Sequence, residues 1–293
     1  MSDDESELEA SRAPLLDHLT ELRTRLIVSV VAMVVAFIVC FAFSKKIYVF
    51  LLQPYRIAGS LMEAQQAGGG HLGPFDLVLA LAGQKQAAAS GPLELVFTAP
   101  LEFFFTQMKL AGFGAIAIAF PILAYQVYAF VAPGLYRKER KAFLPFLLAA
   151  PVLFLLGSAL VYYVMLPFVM YFSLSQQIIG PEVQVTLLPK VSDYMAMVTQ
   201  LILAFGLCFQ LPVVLSLAGL AGLISSEALA KGRRYAVVGI VFVAAIVTPP
   251  DPISQIMLSI PIYLLYEVSI WCVRLMELRR KKAEAEEAQT LPV

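Results

Sequence analysis

Long apolar runs separated by short polar segments organise this chain. Pro14 opens an amphipathic stretch in which Leu15, Leu19, Leu22 and Leu26 recur at helical spacing on one face. His18, Glu21 and Arg25 share another face, and the stretch leads straight into the first apolar run, residues 26–43. Further runs cover residues 104–131, 143–172 and 194–223, each long enough to cross a bilayer. Two shorter runs follow, 235–247 and 256–273, the second broken by Pro261 and Glu267. The first of these rises only about 20 Å at 1.5 Å per residue, against a hydrocarbon layer of about 30 Å. The pattern predicts an all-α integral membrane protein with six transmembrane helices, the last two short. TPPDPISQ between the last two reads as a tight turn.

The remaining segments are polar. Residues 1–13 are acidic and read as disordered, 14–275 as one membrane domain, and 276–293 as a solvated tail. Residues 45–103 read as a flexible loop, with GSLMEAQQAGGGHLGP and GQKQAAASGP around one apolar patch at 75–82. A second loop covers 173–192. Pro121, Pro145, Pro151, Pro167, Pro212 and Pro261 punctuate the runs, each removing a backbone donor and tending to kink its helix.

Composition sharpens this reading. Of 293 residues, 60% are hydrophobic and 14% charged, more apolar than one soluble core can hide. The formal net charge of zero offers no general attraction for nucleic acid. Cys40, Cys208 and Cys272 are scattered in apolar runs, and His18 and His71 lack ligand-spaced companions, so neither a metal site nor any other cofactor is predicted. The acidic N-terminus and the length of the first run argue for a retained span rather than a cleaved signal peptide. Of the 21 Lys and Arg residues, about fifteen fall on one side of a six-span arrangement; the basic side is expected to be cytoplasmic and to include both termini.

A few polar residues need a reason. Glu139, in GLYRKERKAF, is surrounded by cations; it is either a solvated carboxylate balancing them or a recognition group for a cationic ligand. Glu21 precedes Arg25 by one helical turn and can pair with it. Gln210, in FGLCFQLPVV, needs a partner inside the protein, as a structural hydrogen bond or as part of a working groove. Glu267 lies close to the end of the last run, and structural and functional readings stand equally. No nucleotide loop or nucleophile–base arrangement emerges, so no enzyme chemistry is predicted. A solute transporter or channel would want a polar path across the bilayer, and neither that nor an internal repeat is visible.

Five stretches occur in order: HLTELRTRL at 18–26, TAPLEFFF at 98–105, FPILAYQVYAFVAPGLYRKERK at 120–141, FGLCFQLPVV at 205–214 and KGRRYAVVGIVFVAAIVTPPDPISQIMLSIPIYLLYE at 231–267. Together they resemble the TatC family, the receptor core of the twin-arginine protein translocase, over residues 15–275. The resemblance implies six helices in a concave, glove-like scaffold in the bacterial cytoplasmic (inner) membrane. It implies binding of twin-arginine signal peptides of folded precursors, and assembly with TatA-type and TatB-type single-span proteins and with further copies of itself. Export in that family uses the proton-motive force. Carried onto this chain, signal-peptide binding falls to Glu21, Arg23, Phe130 and Glu139, and partner-helix docking to Thr248 and Gln255. Gln210 stands where some members carry Glu, and the first external loop is longer than in compact members.

Overall fold

The computed structural model describes residues 3–66, 95–131, 137–179, 184–185, 187–247 and 252–290. Apolar runs of this length must satisfy their backbone groups internally, and they do so as helices. The first four are α1 (Asp3–Ala42), α2 (Ser44–Leu51), α3 (Gln53–Gln66) and α4 (Glu102–Val131). Next come α5 (Arg137–Leu160), a π-turn (Val161–Met165) and α6 (Leu166–Ser175). The two-residue strands β1 (Ile178–Ile179) and β2 (Gln184–Val185) pair antiparallel in the following loop. The chain continues with α7 (Val191–Cys208), α8 (Leu211–Leu220), α9 (Ser226–Lys231), α10 (Arg233–Val247) and α11 (Pro252–Thr290).

Among the described residues, five stretches are long and apolar enough to cross a membrane: Leu19–Ala42, Glu102–Phe130, Pro145–Ser175, Val191–Leu220 and Gln255–Arg279. The sixth apolar helix, α10, has 15 residues and rises about 22 Å. The last stretch runs past the 256–273 window, because the long stems of Arg274 and Arg279 carry their charges outward while the helix continues. At the other end, α1 begins at Asp3, upstream of Pro14, and takes in the acidic segment read as disordered. Acidic side chains complement the N-terminal end of a helix dipole, and Glu, Leu and Ala are strong helix formers. The tail likewise continues α11 to Thr290. The apolar patch at 75–82 lies outside the described residues.

Two spans are broken, and proline explains both. Pro167 cannot donate to the carbonyl of Tyr163, and its ring crowds that carbonyl; the helix widens into the π-turn just there. Pro212 withholds a donor from Cys208, and α7 ends at that residue. The chain tightens as Gln210 N donates to Leu207 O at 2.9 Å, then resumes as α8. Gly222, at φ 71°, ends α8 in the left-handed conformation, and Leu223 N reaches back to Ala218 O at 2.9 Å.

The main core lies among α5, α6, α7, α8 and α11, with Phe154, Leu166, Val198, Leu201, Phe205 and Val273 almost fully buried. Its closest approach is reciprocal. A Cβ on Gly206 would meet the Phe154 ring at 2.5 Å, and one on Gly157 would meet the Phe209 ring at 2.7 Å. Each glycine accepts a phenylalanine from the facing helix, the small-residue contact that membrane helices favour. A separate, smaller cluster of Ala36, Ala115 and Ala119 joins α1 to α4.

At the α4 N-terminus, Glu102 ties the preceding turn to α7. Its Oε2 accepts from Thr98 N at 2.8 Å and Ala99 N at 3.3 Å, and its Oε1 from Ser192 N at 3.4 Å. Alongside, Val191 N donates to Val96 O at 3.0 Å.

Candidate functional site

At the opposite end of α4, polar groups converge between α1 and α4. Glu21 and Arg25 are one turn apart on α1, and both are partly exposed. Arg25 donates to a single oxygen, Glu21 Oε1, from Nη2 at 2.6 Å and Nε at 3.1 Å. Its remaining arm, Nη1, donates to Gln126 Oε1 on α4 at 3.3 Å. The pair and the amide line an open cleft of about 400 Å³ with Thr20, Thr24 and Val28. Among the described residues, Glu21 Oε2 accepts no hydrogen bond. A cationic guest can therefore approach a carboxylate that is already oriented.

The other expected site residues take distinct places. Arg23 is exposed on α1. Phe130 is half-buried one turn beyond Gln126, so the two share a face of α4. Glu139 lies on the first turn of α5, and its side chain is outside the described residues. The described contacts thus bring Glu21 to the α4 face that carries Phe130. Gln126 is the member that sequence reasoning missed. Its signal was legible: a lone amide in the apolar run FPILAYQVYAF, the same anomaly that singles out Gln210.

Gln210 meets the need for an interior partner. Its Nε2 donates to Ala150 O on α5 at 2.9 Å, across the break between α7 and α8. Glu267 is clamped: Arg233 grips it bidentately, Nε to Oε1 at 2.7 Å and Nη2 to Oε2 at 2.9 Å, and Tyr263 donates to Oε1 at 2.9 Å. Tyr263 also lines a groove of about 510 Å³ between α10 and α11, with Val237, Val241 and Ser259 among others. Gln255 also lines the groove and donates to Val241 O at 3.1 Å, bridging the two helices. Thr248 lies outside the described residues. Below the clamp, Tyr266 donates to Leu229 O at 2.8 Å, and Glu277 accepts from Ser226 N at 2.9 Å. Among the described residues, no three His, Cys, Asp or Glu side chains gather as metal ligands would.

Known proteins resemble this chain over most of its length. The family described as Sec-independent protein translocase protein (TatC) matches residues 17–261. The chain belongs to the TatC family. A TatC from Magnetococcus marinus is 43% identical over 95% of this chain and 90% of its own length. The TatC of Aquifex aeolicus is 33% identical over 94% of this chain and 100% of its own. A crystal structure of the twin-arginine translocase receptor TatC superposes with a TM-score of 0.67 at 31% identity, covering 88% of this chain and 98% of that one. Membership makes the chain a component of a protein translocase, a multi-pass membrane receptor rather than an enzyme.

Proposed function

We propose that this TatC-family chain is the receptor core of a twin-arginine translocase in the bacterial cytoplasmic membrane. It binds twin-arginine signal peptides of folded precursors and assembles TatA-type and TatB-type single-span partners, and further copies of itself, for export driven by the proton-motive force. Residues 14–275 form its six-span domain, with residues 1–13 and 276–293 flanking it in the cytoplasm. The observation that carries this reading is the Glu21–Arg25–Gln126 cluster in an open cleft beside the α4 face bearing Phe130.

A twin-arginine motif presents two planar, permanently charged guanidiniums. Each can pair bidentately with a carboxylate, and lysine cannot reproduce that geometry. Glu21 supplies one carboxylate at a fixed position, and Glu139, at the start of α5, supplies the second. Arg23 and the cations around Glu139 repel stray basic peptides, so selection depends on fit rather than on net charge. Exposed ion pairs contribute only about 0–1 kcal/mol each; the apolar part of the signal peptide must add affinity along the exposed faces of α1 and α4. Thr248, Gln255 and the α10–α11 groove receive a partner helix. Gln210 and Glu267 hold the scaffold.

Binding of a purified twin-arginine precursor to the membrane complex, with a native gel for assembly, tests the reading. Glu139→Lys should abolish binding, Glu139→Ala should weaken it strongly, and Glu21→Ala should weaken it less, all with assembly intact. Wild-type binding by Glu139→Lys would sink the assignment. Loss of assembly in every variant would return Glu139 to a structural role.

A further inference from the structure

Lys109 lies on α4 seven residues from its N-terminus, and it is exposed. Among the described residues no carboxylate is within ion-pair distance of its ammonium. An unpaired cation on the lipid-facing side of a span is costly wherever it meets hydrocarbon, so its depth matters. From Lys109 to Gln126, where Arg25 marks the opposite polar boundary, α4 carries no charge and rises about 26 Å. To Phe130 it rises about 32 Å. A hydrocarbon layer of about 30 Å therefore begins at Lys109, and residues 102–108 project into the headgroup layer.

The Lys109 side chain leads outward from there, since side chains on a helix lean toward its N-terminus and a lysine stem carries its charge to the interface. Beside it is an open cleft of about 680 Å³ between α4 and the start of α7. Leu101, Phe105 and Met108 form its apolar wall, and Lys109, Glu102 and Ser192 its polar groups. The charges are ordered along the membrane normal: the cation at the hydrocarbon boundary, and the Glu102 carboxylate two turns farther out. A phospholipid with an ammonium headgroup has the complementary order, phosphate deep and ammonium shallow. The charged residues next to Ser192 in the chain, Lys190 and Asp193, are opposite in sign.

We infer that this cleft seats one phospholipid of the leaflet on the Glu102 side, with Lys109 holding its phosphate. The phosphate accepts a charge-assisted hydrogen bond from the ammonium, and the acyl chains lie against Phe105 and Met108. The inference does not rest on signal-peptide binding.

The test places a reporter at the cleft by Leu101→Trp in a Trp271→Phe background, using the full chain in maltoside micelles. Quenching is titrated with dibrominated phosphatidylethanolamine and with dibrominated diacylglycerol, which has similar chains and no phosphate. The phospholipid should half-saturate at about a fivefold lower mole fraction, the effect of one net hydrogen bond to the phosphate. Lys109→Gln should erase that difference and Lys109→Arg should keep it. The native Trp271, exposed on α11, should show no difference in the unaltered chain. Equal half-saturation by the two lipids, or a difference that survives Lys109→Gln, overturns the proposal. So does displacement of the lipid by millimolar inorganic phosphate, which would mark a site for the free anion. Should Lys109→Gln unfold, Lys109→Met serves in its place, with the same outcomes.

Discussion

The α1–α4 pair and the α5–α8 bundle are built differently. In the pair, small residues set the contact: Ala36, Ala115 and Ala119 are buried, and a Cβ on Gly114 would meet Cys40 Sγ at 2.8 Å. Only 11% of the apolar window of α1 is buried, so most of that helix faces lipid. In the bundle, Phe154 and Phe209 fill the hollows at Gly206 and Gly157, and 44% of the corresponding windows of α5–α6 and α7–α8 is buried. Lipid chains are as apolar as leucine, so burial alone does not hold membrane helices together; close packing and polar ties do. The bundle therefore holds its shape by interlocking. The pair relies on one thin seam and a polar contact at its end, Arg25 to Gln126. Exchangeable contacts suit a surface that must admit a guest, and a locked bundle suits the frame behind it.

The largest effect should come from filling a hollow in the bundle. Gly206→Ala forces the Phe154 ring to move, and overpacking of this kind costs about 1–3 kcal/mol. A fall in the thermal unfolding midpoint of the purified protein reads it. Gly112→Ala, on α4 with nothing within 4 Å of the new atom, should hold the midpoint or raise it slightly, since alanine is the better helix former. Equal effects at both positions would remove the distinction between the two regions.

A smaller change is expected from the polar end of the pair. Arg25 now divides its donors between Glu21 and Gln126. Gln126→Leu takes away the second acceptor, so Arg25 competes harder with an incoming arginine for Glu21. Precursor affinity should fall by about two- to fivefold, a net hydrogen bond of roughly 0.5–1 kcal/mol, with the unfolding midpoint unmoved. A midpoint that falls while affinity holds would make Gln126 a seam residue.

The smallest effect belongs to the clamp. Arg233 is 47% exposed on its side chain, and an exposed pair contributes about 0–1 kcal/mol. Arg233→Ala should shift the midpoint by no more than a few degrees and leave precursor binding intact. Tyr266 and Glu277 still tie α11 to the α9 region in that variant. A collapse of the fold would show that the bidentate grip, rather than these neighbours, fastens the short helix α10.

Much of this was readable from the chain because a bilayer punishes polar backbone and charge so heavily that apolar runs declare themselves. Gln210 announced a partner by its mid-span position, and the structure supplies Ala150 O. What stayed hidden depends on pairings between distant segments. That Glu267 meets Arg233 rather than solvent follows from α10 folding back on α11, and no local pattern carries it. Gln126 carries the same signal as Gln210 but more weakly, because it is near a span end, where an amide can reach water. The start of α1 lies upstream of Pro14, the position the sequence pattern predicts, because acidic residues look solvated yet are good helix formers with a span to nucleate on.

The π-turn has a consequence for periodicity. Going along the third span, buried positions fall at 150, 154, 157, 161, 165 and 169, with a second row at 162, 166, 170 and 174. Steps of four residues overshoot a full α-helical turn by about 40°, so a run of them would carry the inward stripe round the helix and out to lipid. The wider turn at Val161–Met165 holds more residues per revolution, and four residues there fall short of a full circle. The turn acts as a vernier: it winds the phase back, and Val169 returns to the side that Phe154 occupies. A plain α-helix of the same length would keep every apolar side chain and point the wrong ones inward.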